Sequence, residues 1–201
     1  MILIIDYGMG NLRSVQKAFE AVGHRAEISS DPERVRAASH VILPGVGAFA
    51  DAASELKRTG LGDAFREAVH SGKPCLGVCL GLQLLFEVSE EDGVHQGLEL
   101  LPGKVTRFAA MPGLKIPHMG WNTLKILRPA PVFRDLPPDP SVYFVHSYHA
   151  IAAHPEDVAA ESEHGRAFPA VVWRDNLMAC QFHPEKSQAV GLQMYRNFAS
   201  I

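Results

Sequence analysis

The chain is notable first for what it has little of. Cysteine occurs three times in 201 residues, at Cys75, Cys79 and Cys180, which cannot make a disulfide framework and suits a reducing compartment. No apolar run approaches the roughly 20 residues that a membrane helix needs. Met1-Ile2-Leu3-Ile4-Ile5-Asp6 is apolar, but it is too short for a signal h-region and has no basic start. The expected location is therefore the cytoplasm, with no membrane partner. Lys and Arg form no run, and 19 basic against 22 acidic residues leave a net charge of −3, which argues against nucleic acid as a partner. There is no internal repeat, no low-complexity tract and no long linker, so residues 1–201 are expected to form one domain.

What is present is a regular alternation. Ile2 to Ile5 reads as a central strand buried on both faces. Helical spacing follows at Leu12, Val15, Phe19 and Val22, with Gly23 placed as a C-cap. Arg25 to Ile28 is a second strand, and Ser30 or Asp31 caps a helix with Pro32 in its first turn. His40 to Leu43 is a third strand, and helical patterns run from Ala50 to Leu56 and from Leu61 to Val69. Lys73 to Val78 is a fourth strand. This predicts an α/β fold with a mostly parallel central sheet and helices on both faces. Gly8-x-Gly10 lacks the third glycine of a dinucleotide fingerprint, since Arg13 stands there, and reads as a tight turn.

After Phe86 the pattern changes. Glu87 to Gly103 is acidic and glycine-bearing and reads as a loop. Short strands are expected at 105–108, 120–127, 142–148, 158–162, 170–173 and 177–182, with a hairpin turn at Arg174-Asp175-Asn176. This half is expected to be antiparallel or mixed, and a closing amphipathic helix covers 188–198.

The stretch Gly77-Val78-Cys79-Leu80-Gly81 joins an apolar strand to a helix-like run. Gly-x-Cys-x-Gly at such a junction is a nucleophile elbow with cysteine in place of serine. At a helix start the free N–H groups favour a thiolate and can bring a thiol pKa from about 8.5 down to roughly 3.5–7.5. A buried cysteine in an ordinary βα turn would read similarly. A cysteine nucleophile needs a base and a group to hold it. His183-Pro184-Glu185 follows an apolar strand, and in extended chain residues two apart face the same side. His183 and Glu185 could then enter one cleft together. His118, His146 and His149 have no carboxylate two residues away and read as structural or interface histidines. Cys75-x3-Cys79 has the wrong spacing for zinc, so no metal is expected. Oxyanion donors are expected from Leu80, just after the nucleophile, and from the glycine turn Pro44-Gly45-Val46-Gly47.

These motifs resemble the class I (triad) glutamine amidotransferases. Gly77 to Gln83 is similar to their nucleophile motif, and Gln181-Phe182-His183-Pro184-Glu185 to their His-Glu motif. Asp6 to Asn11, Leu43 to Phe49, Pro117 to Asn122, Tyr143 to Tyr148 and His183 to Ser187 together resemble the glutaminase subunits of imidazole glycerol phosphate synthases. The resemblance implies a flavodoxin-like sheet and hydrolysis of L-glutamine through a thioester on Cys79. It makes His183 the acid–base group and Glu185 its orienter. It implies that Gln83, Glu91, Ser147 and Tyr148 hold glutamine, and that Val46, Gly47 and Leu80 form the oxyanion hole. No cofactor is implied. The ammonia would pass to a separate (β/α)₈-barrel cyclase, with Asn11, Trp121, Tyr143 and Lys186 facing it. Many class members carry Pro-Gly-Gly in the oxyanion loop; here Val46 interrupts the glycines, which implies a hole completed only when the partner docks. Glutaminase subunits for other acceptors, and cysteine hydrolases on the same elbow, are the alternatives.

Overall fold

The computed structural model describes residues 1–201. Strand β1 (Ile2–Ile5) has all four side chains buried, as its unbroken apolar run requires. It leads into helix α1 (Leu12–Ala21), which buries Val15, Ala18 and Phe19. Strand β2 (Ala26–Ser29) and helix α2 (Pro32–Ala37) follow. The Asp31 carboxylate caps α2 by accepting from the Glu33 N–H at 2.9 Å. Next come β3 (His40–Gly45), α3 (Phe49–Thr59), α4 (Leu61–His70) and β4 (Cys75–Cys79). The second half holds the single turn α5 (Leu80–Gln83), then β5 (Phe86–Ser89), β6 (His95–Gln96), β7 (Leu101–Arg107), β8 (His118–Thr123) and β9 (Lys125–Ile126). Strands β10 (Ser141–His146), β11 (Tyr148–Ala152), β12 (Val158–Glu163), β13 (Ala167–Arg174) and β14 (Leu177–Cys180) precede helix α6 (Gln188–Ala199).

Eight strands form the main sheet in the order β2-β1-β3-β4-β14-β13-β12-β9. The first five are parallel, in the flavodoxin-like order, and the last three join antiparallel. Alternation along these strands fills two cores. Ile2, Ile4, Ile42, Leu76, Val78, Met178 and Cys180 enter the core that α1 and α6 cover. Leu3, Ile5, Val41, Leu43, Cys75 and Ala179 enter the core on the α3 and α4 face. No helix is long and apolar enough to cross a membrane.

Three expectations need correction. The helix after the elbow stops at Gln83, and Leu84 to Phe86 leads into β5 instead. A fully buried apolar run carries no period that separates helix from strand. The stretch from Glu87 to Gly103 is not a loop. With β11 it builds a four-stranded sheet, β11-β7-β5-β6. Its strands are short and their alternation weak, so cross-strand pairing forms them. The expected strands at 120–127 and 142–148 are each two strands, and β8 and β10 pair as a separate ribbon.

Candidate active site

Cys79 ends β4 with φ 55° and ψ −108°. Strand alternation would send its side chain to the Cys75 side, but this left-handed geometry turns it to the other core. Such a conformation costs on the order of 1–3 kcal/mol and persists only where the surroundings enforce it. The enforcement is visible in the two flanking glycines. A Cβ on Gly81 would collide with the Leu43 carbonyl, and one on Gly77 would lie 2.8 Å from the Gly81 oxygen. Burial pushes the Cys75 thiol up to about 12 and the Cys180 thiol well above its usual value. Cys79 lines a cavity of about 390 Å³.

β4 and β14 are adjacent and parallel, with Val78 level with Cys180. The chain leaving β14 therefore emerges beside the elbow, and His183 lines the same cavity as Cys79. Its Nδ1 lies 2.8 Å from Glu185 Oε1, and both side chains are almost fully enclosed. The geometry behind this pairing differs from the expectation. His183 is extended, but Pro184–Lys186 is a turn of 3₁₀ helix, and the turn folds the carboxylate back onto the ring. Burial opposes a charge on His183. Hydrogen bonds to Cys79 and Glu185 overcome it and carry the imidazole up to about 10.

Two residues that sequence reasoning missed complete this cluster. The Gln181 amide donates to the Cys79 sulfur at 3.8 Å, from 102 positions away in sequence. The Tyr195 hydroxyl donates to Glu185 Oε2 at 3.3 Å. Gln181 stands two residues before His183, so the spacing argument used for Glu185 could have found it. Nothing local marks Tyr195.

The residues expected in the oxyanion hole and glutamine cradle converge. Val46, Gly47, Leu80, Gln83, Glu91, Ser147 and Tyr148 all line the cavity. Gly45 is level with Cys79 across β3 and β4, so the loop after β3 leaves beside the sulfur. Gly47 has φ 98°, a conformation that favours glycine. Val46 is 40 % exposed. Glu91 accepts from the Phe49 N–H at 2.9 Å, which ties the cavity wall to the start of α3. Gln83 donates to the Tyr148 carbonyl and to Gln181 Oε1, each at 3.1 Å. Of the expected partner-facing residues, Trp121 and Tyr143 are level across the ribbon, with rings 6.1 Å apart. Lys186 is exposed on the turn beside them, because Ser187 accepts from the Tyr143 N–H. Asn11 stands at the start of α1, which packs against that turn.

A strained cysteine elbow, a buried His-Glu pair and a cavity between two parallel strand ends agree with what the whole chain matches. The profile of the family described as glutamine amidotransferase class-I covers residues 3–200. The chain belongs to that family. It is 54% identical to the imidazole glycerol phosphate synthase subunit HisH of Syntrophotalea carbinolica, over 100% of both chains. It is also 54% identical to the protein of that name from Thermosynechococcus vestitus, over 100% of this chain and 96% of the other. Among solved structures, a crystal structure of a glutamine amidotransferase superposes with a TM-score of 0.77 at 20% identity, covering 100% of both chains. At that identity the likeness speaks for the fold alone.

Proposed function

We propose that this chain is a glutaminase that hydrolyses L-glutamine to L-glutamate and ammonia. The ammonia goes to a (β/α)₈-barrel cyclase subunit that makes imidazole glycerol phosphate and an aminoimidazole carboxamide ribotide in histidine biosynthesis. The reading treats residues 1–201 as one amidotransferase domain working in the cytoplasm. The observation that carries it is the cavity at the ends of β4 and β14, with the Cys79 sulfur and the His183 ring on its wall and Glu185 on the ring's far nitrogen.

In this reading Gln83, Glu91 and the backbone at Ser147 and Tyr148 hold the amino-acid end of glutamine. The sulfur attacks the carboxamide carbon, and the oxygen takes up the negative charge. The Leu80 N–H and a peptide of the Val46-Gly47 loop donate to it, each worth roughly 10²–10³ in rate. His183 gives its proton to the leaving nitrogen, and a thioester remains. Acylation removes the charge that the sulfur held beside His183, so the ring loses one of the two groups that raise its pKa. It can then take a proton from the hydrolytic water, while Glu185 keeps its orientation. Trp121, Tyr143, Lys186 and Asn11 lie on the face toward the cyclase, and docking there turns the Val46 N–H inward.

The test is ammonia release from glutamine by the purified chain, with and without a cyclase subunit and its nucleotide. Cys79→Ser should abolish release, and His183→Ala should cost at least about 10²–10⁴. Equal rates with and without the cyclase would refute completion of the hole by docking. Persistence of turnover in Cys79→Ser would refute the catalytic reading.

A further inference from the structure

Two histidines outside the triad form a chain of hydrogen bonds with only one consistent direction. The Tyr148 carbonyl can only accept, and His146 Nδ1 lies 2.8 Å from it, so that nitrogen carries the proton. In a neutral ring His146 Nε2 is then a lone pair, and it lies 2.9 Å from His118 Nδ1, which must donate. His118 Nε2 is in turn a lone pair, and it faces the Asn122 amide nitrogen at 3.2 Å. The Asn122 orientation is fixed independently. Its nitrogen also donates to the Glu163 carbonyl at 2.8 Å, and its oxygen accepts from the Thr123 N–H at 2.9 Å. Every donor and acceptor on this path is matched.

The surroundings keep both rings neutral. His118 and His146 are buried, the first stacked on Phe144 and His164, the second against Phe108 and Phe168. Burial brings His118 down to about 4 and His146 down to about 3. The path does not end at Tyr148. The same carbonyl accepts from Gln83, Gln83 donates to Gln181, and Gln181 donates to the Cys79 sulfur.

We propose that His118 and His146 are positioning residues, locked together as Nδ1–H tautomers, which hold the Tyr148 carbonyl. Through it they set Gln83, Gln181 and the sulfur of Cys79. One line of hydrogen bonds thus runs from the β8–β10 ribbon to the nucleophile. The inference rests on the cavity being the glutamine site. His146 lines the cavity beside Tyr148 and His118 bonds to His146, so loss of the chain acts on alignment of the amino-acid end of glutamine.

The direct test is ¹⁵N NMR of the ring nitrogens in the full chain between pH 5.5 and 8. Both rings should carry the proton on Nδ1 throughout. An Nε2–H tautomer at either ring, or titration near the ordinary value of about 6.5, would overturn the proposal. The tautomers can be read equally in Cys79→Ser, so failure of the catalytic reading leaves this test standing. Kinetics of the complex with its cyclase give a second arm. His118→Leu removes the donor and should raise KM for glutamine about tenfold, with kcat changed much less. His118→Asn puts an amide nitrogen where Nδ1 was and should recover most of that loss. Equal KM values in the two variants would overturn the proposal, and if His118→Leu does not fold, the NMR result on the wild type decides.

Discussion

The Tyr195 hydroxyl donates to Oε2 of Glu185, the oxygen that His183 leaves free. The carboxylate is thus held at both ends, and Tyr195 is itself held by the Phe19 ring, 4.5 Å away centre to centre. Burial, then Glu185, push the phenol well above its usual pKa, so it remains a donor. Tyr195→Phe keeps the packing and removes only the bond. It should lower kcat severalfold and destabilise the fold by about 1 kcal/mol. Unchanged turnover in a glutaminase assay would show that the Pro184–Lys186 turn alone suffices to hold the carboxylate.

The raised pKa of His183 makes stability depend on pH in a definite direction. A group whose folded value exceeds its unfolded value of about 6.5 contributes fully below that value. The contribution is lost as pH rises through the folded value, about 10 here. The stability gap between the wild type and His183→Gln, measured by urea unfolding, should therefore shrink from pH 6.5 toward pH 10. A gap that stays constant would count against the charged pair.

Gly81 has no space for a side chain, because the Leu43 carbonyl occupies the position. Gly81→Ala should cost about 1–3 kcal/mol, the usual cost of overpacking, and should displace Leu80 and the sulfur together. Urea midpoints and a stopped assay for the glutamyl thioester would check both effects. A stable and active variant would contradict the elbow's close packing.

Glu91 has two tasks, since one oxygen caps α3 at Phe49 and the side chain lines the cavity. Glu91→Gln weakens the charge at the helix start, which should cost about 0.3–1 kcal/mol. Under its proposed role as the charged partner of the substrate amine, the change should also raise KM for glutamine about tenfold. If KM does not move, Glu91 acts on the helix alone.

The parallel half of the fold was legible because its strands are buried on both faces and bounded by turn residues. Ile2 to Ile5 and His40 to Leu43 are too short for helices and rich in β-branched residues, and Asp31-Pro32 marks a helix start in two ways. Phe86 to Gly103 was not legible. Leu84 to Phe86 continues an apolar run without a period, and β5 forms only by pairing with β7, as β6 does by pairing with β5. In the site, Cys79 and His183 stood out because each ends an apolar strand at a turn. Their adjacency depends on β14 inserting beside β4, a pairing that no local window contains. Gln181 was named only as part of the His-Glu motif, although its place two residues before His183 could have shown that it shares the cleft. Tyr195 was not legible, since an aromatic on the inner side of a helix carries no local mark.

The placement of β14 next to β4 also orders events in time. A ribosome delivers the elbow early, but the strand that brings the base emerges about a hundred residues later. Until β14 has threaded into place and α6 has closed over Glu185, the growing chain has a sulfur and no imidazole to serve it. Under the proposed function, a nascent or truncated polypeptide would not consume glutamine, and nitrogen would be released only by a molecule whose sheet is finished.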